Sequence, residues 1–294
     1  MSFTLLIPSH NGATHLLAQL QSLAAQTHRP ARLIVSDDGS ADKTREILFG
    51  FARTAPFPVA LKTGPCRGWP SNMTALIRHA PPDAPAAFAD QDDAWLPDRL
   101  ARAAAAFASL PPGLPALHCG RRIITDATLR PRTLSRLPRH PPGFCNAMVE
   151  NVAPANTIAL NSAALALARI ASFDASAPAP FPDWWLYQLI TGAGGQVIFD
   201  PAPLLYYRQH GANHFGAAHG LPARLSRLIR LFDGSYHGWR RAQIHCLSAS
   251  STRLTPAARA VLSRVHAGQH TRGVTRQSPL EQVALRLALA LART

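Results

Sequence analysis

The chain has 294 residues, 47% of them apolar, enough for a sizeable buried core and room for one large α/β domain with a helical appendage. No run approaches the roughly 20 unbroken apolar residues of a membrane span, and Met1-Ser2 runs directly into an apolar strand with no basic leader, so a cytoplasmic chain without an export signal is expected. The net charge of +14 invites a nucleic-acid reading, but the only lysines are Lys43 and Lys62, and the arginines form no dense block interleaved with aromatic rings. Anionic lipid or a phosphate-bearing substrate accounts for the charge at least as well, and no nucleic-acid partner is expected. Cys66, Cys119, Cys145 and Cys246 are widely separated, with no CxxC pair, which fits reduced thiols and argues against structural zinc.

In chain order, Phe3–Ile7 reads as a buried strand ending at the loop Pro8-Ser9-His10-Asn11-Gly12. Apolar residues at helical spacing follow over Thr14–Ala25. Arg32–Val35 is a second strand, leading at once to Ser36-Asp37-Asp38-Gly39-Ser40 and then a helix from about Asp42 to Ala52. Val59–Leu61 is a third strand; Gly64–Gly68 forms a loop before a helix over Ser71–His79. A fourth strand, Ala86–Ala89, runs into Asp90-Gln91-Asp92-Asp93, and Pro97 opens a helix over Leu96–Phe107. This alternation predicts a parallel sheet with helices on both faces, and ligands bind such sheets beyond the carboxyl ends of the strands. All four polar loops fall on that edge.

The second half is less regular. Ala116–Cys119, Arg122–Ile124, Asn156–Leu160, Gln196–Phe199 and Leu204–Tyr207 read as short strands, and Pro131–Pro142 as a proline- and arginine-rich loop. Asn161 caps a helix running to Ile170. Asp174–Pro182 is a low-complexity linker, and Asp183 opens a helix through Ile190. Beyond Leu221 the pattern is helical and basic.

Three carboxylates packed into one loop repel unless a cation sits among them, and hard oxygen donors suit Mg²⁺ or Mn²⁺. Taken alone, a solvated acidic loop is an equal reading. The motifs Leu6-Ile7-Pro8-Ser9-His10-Asn11-Gly12, Val35-Ser36-Asp37-Asp38-Gly39-Ser40, Gly64–Trp69 with Asn72, Asp90-Gln91-Asp92-Asp93-Ala94-Trp95, Asp183-Trp184-Trp185 and Tyr207-Arg208-Gln209-His210-Gly211 occur in this order. Together they resemble the family 2 inverting glycosyltransferases of the GT-A fold, in particular the bacterial rhamnosyltransferase-like branch.

The resemblance implies a GT-A domain over residues 1–220, followed by a basic helical extension over 221–294. It places Pro8, His10, Asp37, Asp38 and Asn72 around the nucleotide, with Arg67 toward its diphosphate. It puts Asp90 and Asp92 at the ribose and metal, with Asp92 or Asp93 and His210 holding the Mn²⁺ or Mg²⁺. Asp183 becomes the base that deprotonates an acceptor hydroxyl, a role worth typically 10²–10⁴-fold. Arg208, Asn156 and Trp184 are candidate diphosphate or acceptor contacts. The implied reaction moves a sugar, rhamnose being one candidate, from a UDP- or dTDP-sugar to a hydroxyl of a cell-surface glycan. If that glycan is lipid-linked, Arg224, Arg227, Arg230, Arg240, Arg241 and Arg286 are placed to rest on the inner membrane face. Two rival readings are a nucleotidyltransferase, which lacks its lysine-bearing glycine loop here, and a basic nucleic-acid-binding protein indifferent to the acidic motifs.

Overall fold

A computed structural model describes residues 1–209, 235–267 and 274–291. Its first half alternates β1 (Thr4–Ser9), α1 (Leu16–Ala24), β2 (Arg32–Asp37), α2 (Thr44–Ala52), β3 (Val59–Thr63), α3 (Trp69–His79) and β4 (Ala86–Phe88). Strands β3, β2, β1 and β4 lie side by side in that order, all parallel, as the rhythm of the sequence predicts. Alternation along β1 sends Leu5 and Ile7 to one face, where Leu16, Leu20 and Leu23 of α1 cover them. Leu6 points the other way, into a second core with Met73, Leu76 and Ile77 of α3.

The sheet then becomes mixed. Short β5 (Ala94–Trp95), helix α4 (Arg99–Ala108), β6 (Ala116–Thr125), β7 (Pro131–Leu134), a short helix α5 (Phe144–Ala147) and a 3₁₀ turn at Ala155–Thr157 lead to β8 (Ala159–Leu160). Strand β8 pairs antiparallel with both β4 and β6, and β9 (Gln196–Arg208) runs parallel to β6. Helices α6 (Ser162–Ala171) and α7 (Pro182–Gly192) fill the second core; Asn161 caps α6, its side chain accepting from Ala164 N.

Several local expectations shift. Helix α4 begins at Arg99 rather than Leu96, because Leu96 N donates to Leu204 O and Pro97 O accepts from Thr27 N, which hold that stretch extended. Pro131–Leu134, read as loop, is an edge strand on β6, with proline at its first position where no ladder donor is needed. The two short strands expected at Gln196–Phe199 and Leu204–Tyr207 are one strand, with register shifts at Gly120–Arg122 absorbing the Pro201/Pro203 interruption.

The boundary expected at residue 220 lies outside the described residues, as do His210, Arg224, Arg227 and Arg230. Beyond it, α8 (Ser235–Ala249), α9 (Pro256–His266) and α10 (Pro279–Leu291) pack into the same core as α3, α6 and α7, through residues such as Leu247, Leu262 and Leu285. Arg240, expected on a basic surface, is buried: it shares a helix face with Tyr236 and Leu247, and its Nε donates to Met148 O at 3.0 Å. Among the described residues, no helix is long and apolar enough to cross a membrane.

Two glycines test this packing. A Cβ on Gly195 would lie 2.5 Å from Pro115 O and 2.8 Å from Ile190 O, both backbone, so Gly195→Ala should lower stability by about 1–3 kcal/mol in thermal unfolding. A Cβ on Gly50, in α2, meets nothing within 4 Å, and Gly50→Ala should raise stability by about 0.5–1 kcal/mol.

Candidate active site

The carboxyl ends of the parallel strands open into a cleft of about 1830 Å³. Its first wall is the β1 loop. Gln91, from the acidic loop, clips it: Gln91 Oε1 accepts from Ser9 Oγ and His10 N, each at 2.9 Å, and Gln91 Nε2 donates to His10 O at 2.9 Å. Gly12 leaves the room this needs, since a Cβ there would sit 2.4 Å from Gln91 Oε1. Pro8 and His10 both line the cleft, and His10 Nδ1 lies 3.2 Å from Asp38 O.

Asp37 and Asp38 separate, as neighbours at a strand end must. Asp38 faces the cleft, where its Oδ1 accepts from Cys66 N at 2.7 Å and its Oδ2 from Gly68 N at 2.8 Å, holding the Gly64–Gly68 loop. Asp37 is buried away from it, accepting from Ser40 Oγ with Arg45 3.6 Å distant. Arg67 is exposed and does not line the cleft. Asn72 does: its Nδ2 donates to Ser36 O at 2.8 Å, and its buried Oδ1 has no partner among the described residues.

Oxygen atoms of Asp90, Asp92 and Asp93 come within 4.8 Å of one another, a spacing and donor set that fit one hard divalent cation. Asp90 and Asp92 line the cleft; Asp93 is fully buried, its Oδ2 accepting from Asn156 Nδ2 at 2.6 Å and its Oδ1 from Arg208 N at 3.2 Å. Arg208 further braces the loop, with Nε donating to Asp92 O at 2.8 Å. Asn156 and Arg208 therefore hold the carboxylates in place. Burial pushes the Asp90 carboxyl up to about 7, with the neighbouring charges of Asp92 and Asp183 adding to it and Arg122 and Arg99 opposing. Burial also holds Asp93 well above the usual carboxylate range, reinforced by Asp90 and Asp92.

Behind this loop lies a cation that sequence reading overlooked. Arg99 is 1% exposed, its guanidinium 3.4 Å from the centre of the Trp95 ring, with NH2 donating to Phe88 O at 3.0 Å. Burial draws its pKa well down, and the attraction of Asp93 and Asp90 works against that. The signal was present: an arginine in register with Ala103 and Phe107, on the buried face of a helix.

Asp183 occupies the first turn of α7, just after Pro182, and opens onto the same cleft as Asp92. Asn151 Nδ2 donates to its Oδ2 at 2.8 Å, while Oδ1 is buried with no hydrogen-bond partner among the described residues. Burial raises this carboxyl to about 6 against the opposing pull of the Trp184 amide and Asn151. The group is desolvated, in a residue that lines the cleft. Trp184 is 6% exposed, with Nε1 donating to Ala147 O at 2.6 Å, a core residue whose edge reaches the cleft. The far wall, which the sequence did not disclose, comes from Tyr236 and Trp239 of α8, the strap Ser135–Arg139 and residues 276–281.

The model of glycosyl transferase family 2 matches residues 4–166, over half of the chain, including the acidic loop and ending short of Asp183. An uncharacterized glycosyltransferase of Nostoc sp. is 29% identical over 102 residues, a stretch that spans 35% of this chain and about a third (31%) of that relative. Among solved structures, TarS of S. aureus in complex with UDP-GlcNAc aligns over 100% of this chain and 87% of its own, with a TM-score of 0.56 and 15% identity. The mannosyltransferase PcManGT of Pyrobaculum calidifontis, in complex with GDP-Man and Mn²⁺, aligns over 99% and 88%, with a TM-score of 0.53 and 16% identity. At these identities the two structures establish a shared fold, the GT-A arrangement.

Proposed function

Since the chain belongs to glycosyl transferase family 2, we propose that it moves a sugar from a nucleoside diphosphate to an acceptor hydroxyl, with inversion at the anomeric carbon. The nucleoside lies along Pro8, His10, Asp38 and Asn72, where the unpartnered Asn72 Oδ1 offers an acceptor to a ring N–H. Asp92 and Asp90, with Asp93 behind them, hold Mn²⁺ or Mg²⁺. A divalent ion there offsets the charge that develops on the departing diphosphate.

Asp183 takes the acceptor proton at Oδ1. As that O–H bond breaks, the oxygen forms a bond to the anomeric carbon from the face opposite the diphosphate, and the electron pair of the severed C–O bond leaves with the diphosphate. Asn151 holds the carboxylate through Oδ2, which leaves Oδ1 as the oxygen without a partner among the described residues. The observation that carries this reading is that Asp183 lines one cleft with Asp90 and Asp92 of the acidic loop, its buried Oδ1 having no partner among the described residues.

A thermal-shift panel of UDP, dTDP and GDP, each with and without Mn²⁺, tests it. Nucleotide plus metal at about 100 times Kd should stabilise the fold by about 2.7 kcal/mol, and nucleotide alone by much less. Protons compete with the ion at Asp90, whose pKa lies at about 7, so metal affinity should rise between about pH 6 and about pH 8. Indifference to all three nucleotides with metal present would sink the proposal.

A further inference from the structure

Helix α10 breaks the usual rule for a surface helix. Its inward side buries Glu281, Ala284 and Leu285, with Glu281 paired to Arg276 at 3.1 Å. A helix with one buried face normally shows a polar face to water. Here the opposite stripe is Leu280, Val283 and Leu287, at i, i+3 and i+7, exposed by 61%, 53% and 56%. The residue beside them, Arg286, is exposed and basic.

The strap between β7 and α5 meets the same rim. Its end is tied to the entry of α10 by a two-way amide pair: His140 N donates to Gln277 Oε1 at 2.8 Å, and Gln277 Nε2 donates to His140 O at 3.0 Å. Leu137 of the strap, 48% exposed, lines the mouth of the cleft together with Leu280. From Ala127 to Val149 the chain contains no acidic residue but carries Arg130, Arg132, Arg136 and Arg139. Arg132 pairs with Asp126. Arg136 and Arg139 are exposed and, like Arg286, have no ion-pair partner among the described residues.

We propose that the strap and the outer stripe of α10 form a docking face for an anionic lipid bilayer, with the apolar side chains entering the headgroup boundary and the arginines meeting lipid phosphate. An apolar stripe flanked by cations, on a helix too short to span, is the pattern of an element that lies in the interface plane. A neutral protein partner would match the leucines and leave the arginines unused. The face also adjoins the proposed acceptor side: Leu137, Leu280 and Asp183 line one cleft, so a hydroxyl carried on a lipid reaches the base without leaving the surface.

Flotation of the full-length chain with vesicles tests the proposal without donor or metal. Binding is expected to phosphatidylcholine vesicles containing phosphatidylglycerol in low salt, weakening in high salt, with little binding to phosphatidylcholine alone. Val283→Glu/Leu287→Glu and, separately, Arg136→Glu/Arg139→Glu should each reduce partitioning about ten-fold with the melting temperature unchanged. Failure of the wild-type chain to float on anionic vesicles in low salt overturns the proposal. So does equal flotation of the Val283→Glu/Leu287→Glu variant, or a dimer in sedimentation that this variant dissociates. The nucleotide thermal shift of the same Val283/Leu287 variant reads the donor site separately, so loss of one property is distinguishable from loss of the other.

Discussion

Asp183→Asn retains donor binding, loses transfer and gains stability in alkaline solution. The loss in kcat should reach roughly 10²–10⁴-fold or more, because the amide cannot accept the acceptor proton, while KM for the donor changes little. In the wild-type chain the base form must be ionised, so the rate should rise with pH through about 6 and then level off. The stability change runs in the opposite sense. A carboxyl raised from 3.8 to about 6 supports the folded state at low pH, and that support is lost as pH climbs through about 6, a difference on the order of 3 kcal/mol. The asparagine variant avoids this loss, less whatever its Nδ2 gives up at the Asn151 contact. Chemical denaturation of both proteins at about pH 5 and about pH 8, between which roughly half of that difference falls, alongside a coupled assay for released nucleoside diphosphate, checks both halves. A variant that kept its kcat would remove Asp183 from the reaction.

Arg99→Met should be the most damaging change outside the cleft surface. It replaces a buried guanidinium with a shorter, uncharged side chain and removes the positive charge that Asp90 and Asp93 sense. Losing the guanidinium leaves the buried Phe88 O without its donor and the two carboxyls without that charge, a loss of about 1–3 kcal/mol. Asp90 and Asp93 should then hold their protons to higher pH, since Arg99 is one of the cations that opposes their burial. Metal affinity should fall accordingly at neutral pH. Adding Asp93→Asn to Arg99→Met should recover part of the lost stability, as groups that interact electrostatically in a buried site are coupled rather than additive. Urea unfolding of the two single variants and the double variant measures this directly; strict additivity would show that Arg99 and Asp93 do not support one another.

Much of the site is legible in the sequence because polar residues interrupt apolar strands only where the chain leaves the sheet. Pro8, Asp38, Asp90 and Asp92 stand at such exits, Asn72 lies in the first turn of the helix that follows β3, and all line the cleft. What the residues alone do not reveal is direction. Asp37 and Asp38 look equivalent in a string, yet one step along a strand turns a side chain to the opposite face, and only Asp38 faces the cleft. Nor is a long-range partner visible: Asn151 lies 32 residues from Asp183, and Gln91 82 residues from Ser9. Strand β9 is hard to read because Pro201 and Pro203 imitate a chain break, and it takes the bulged pairing with β6 to carry the ladder through. The rear wall built by α8 and residues 276–281 has no motif, since apolar periodicity marks a helix but not the surface on which it lands.

The clip made by Gln91 has a consequence for how such a protein diversifies. It fastens the turn after β1 to the acidic loop, so the two ends of the proposed nucleotide berth form a single rigid gauge, built from one edge of the parallel strands. The opposite bank is assembled from the strap and the C-terminal helices, far away in the chain and sharing none of those bonds. On the proposed reading, substitutions there retune which molecule receives the sugar while the grip on the molecule that supplies it stays untouched.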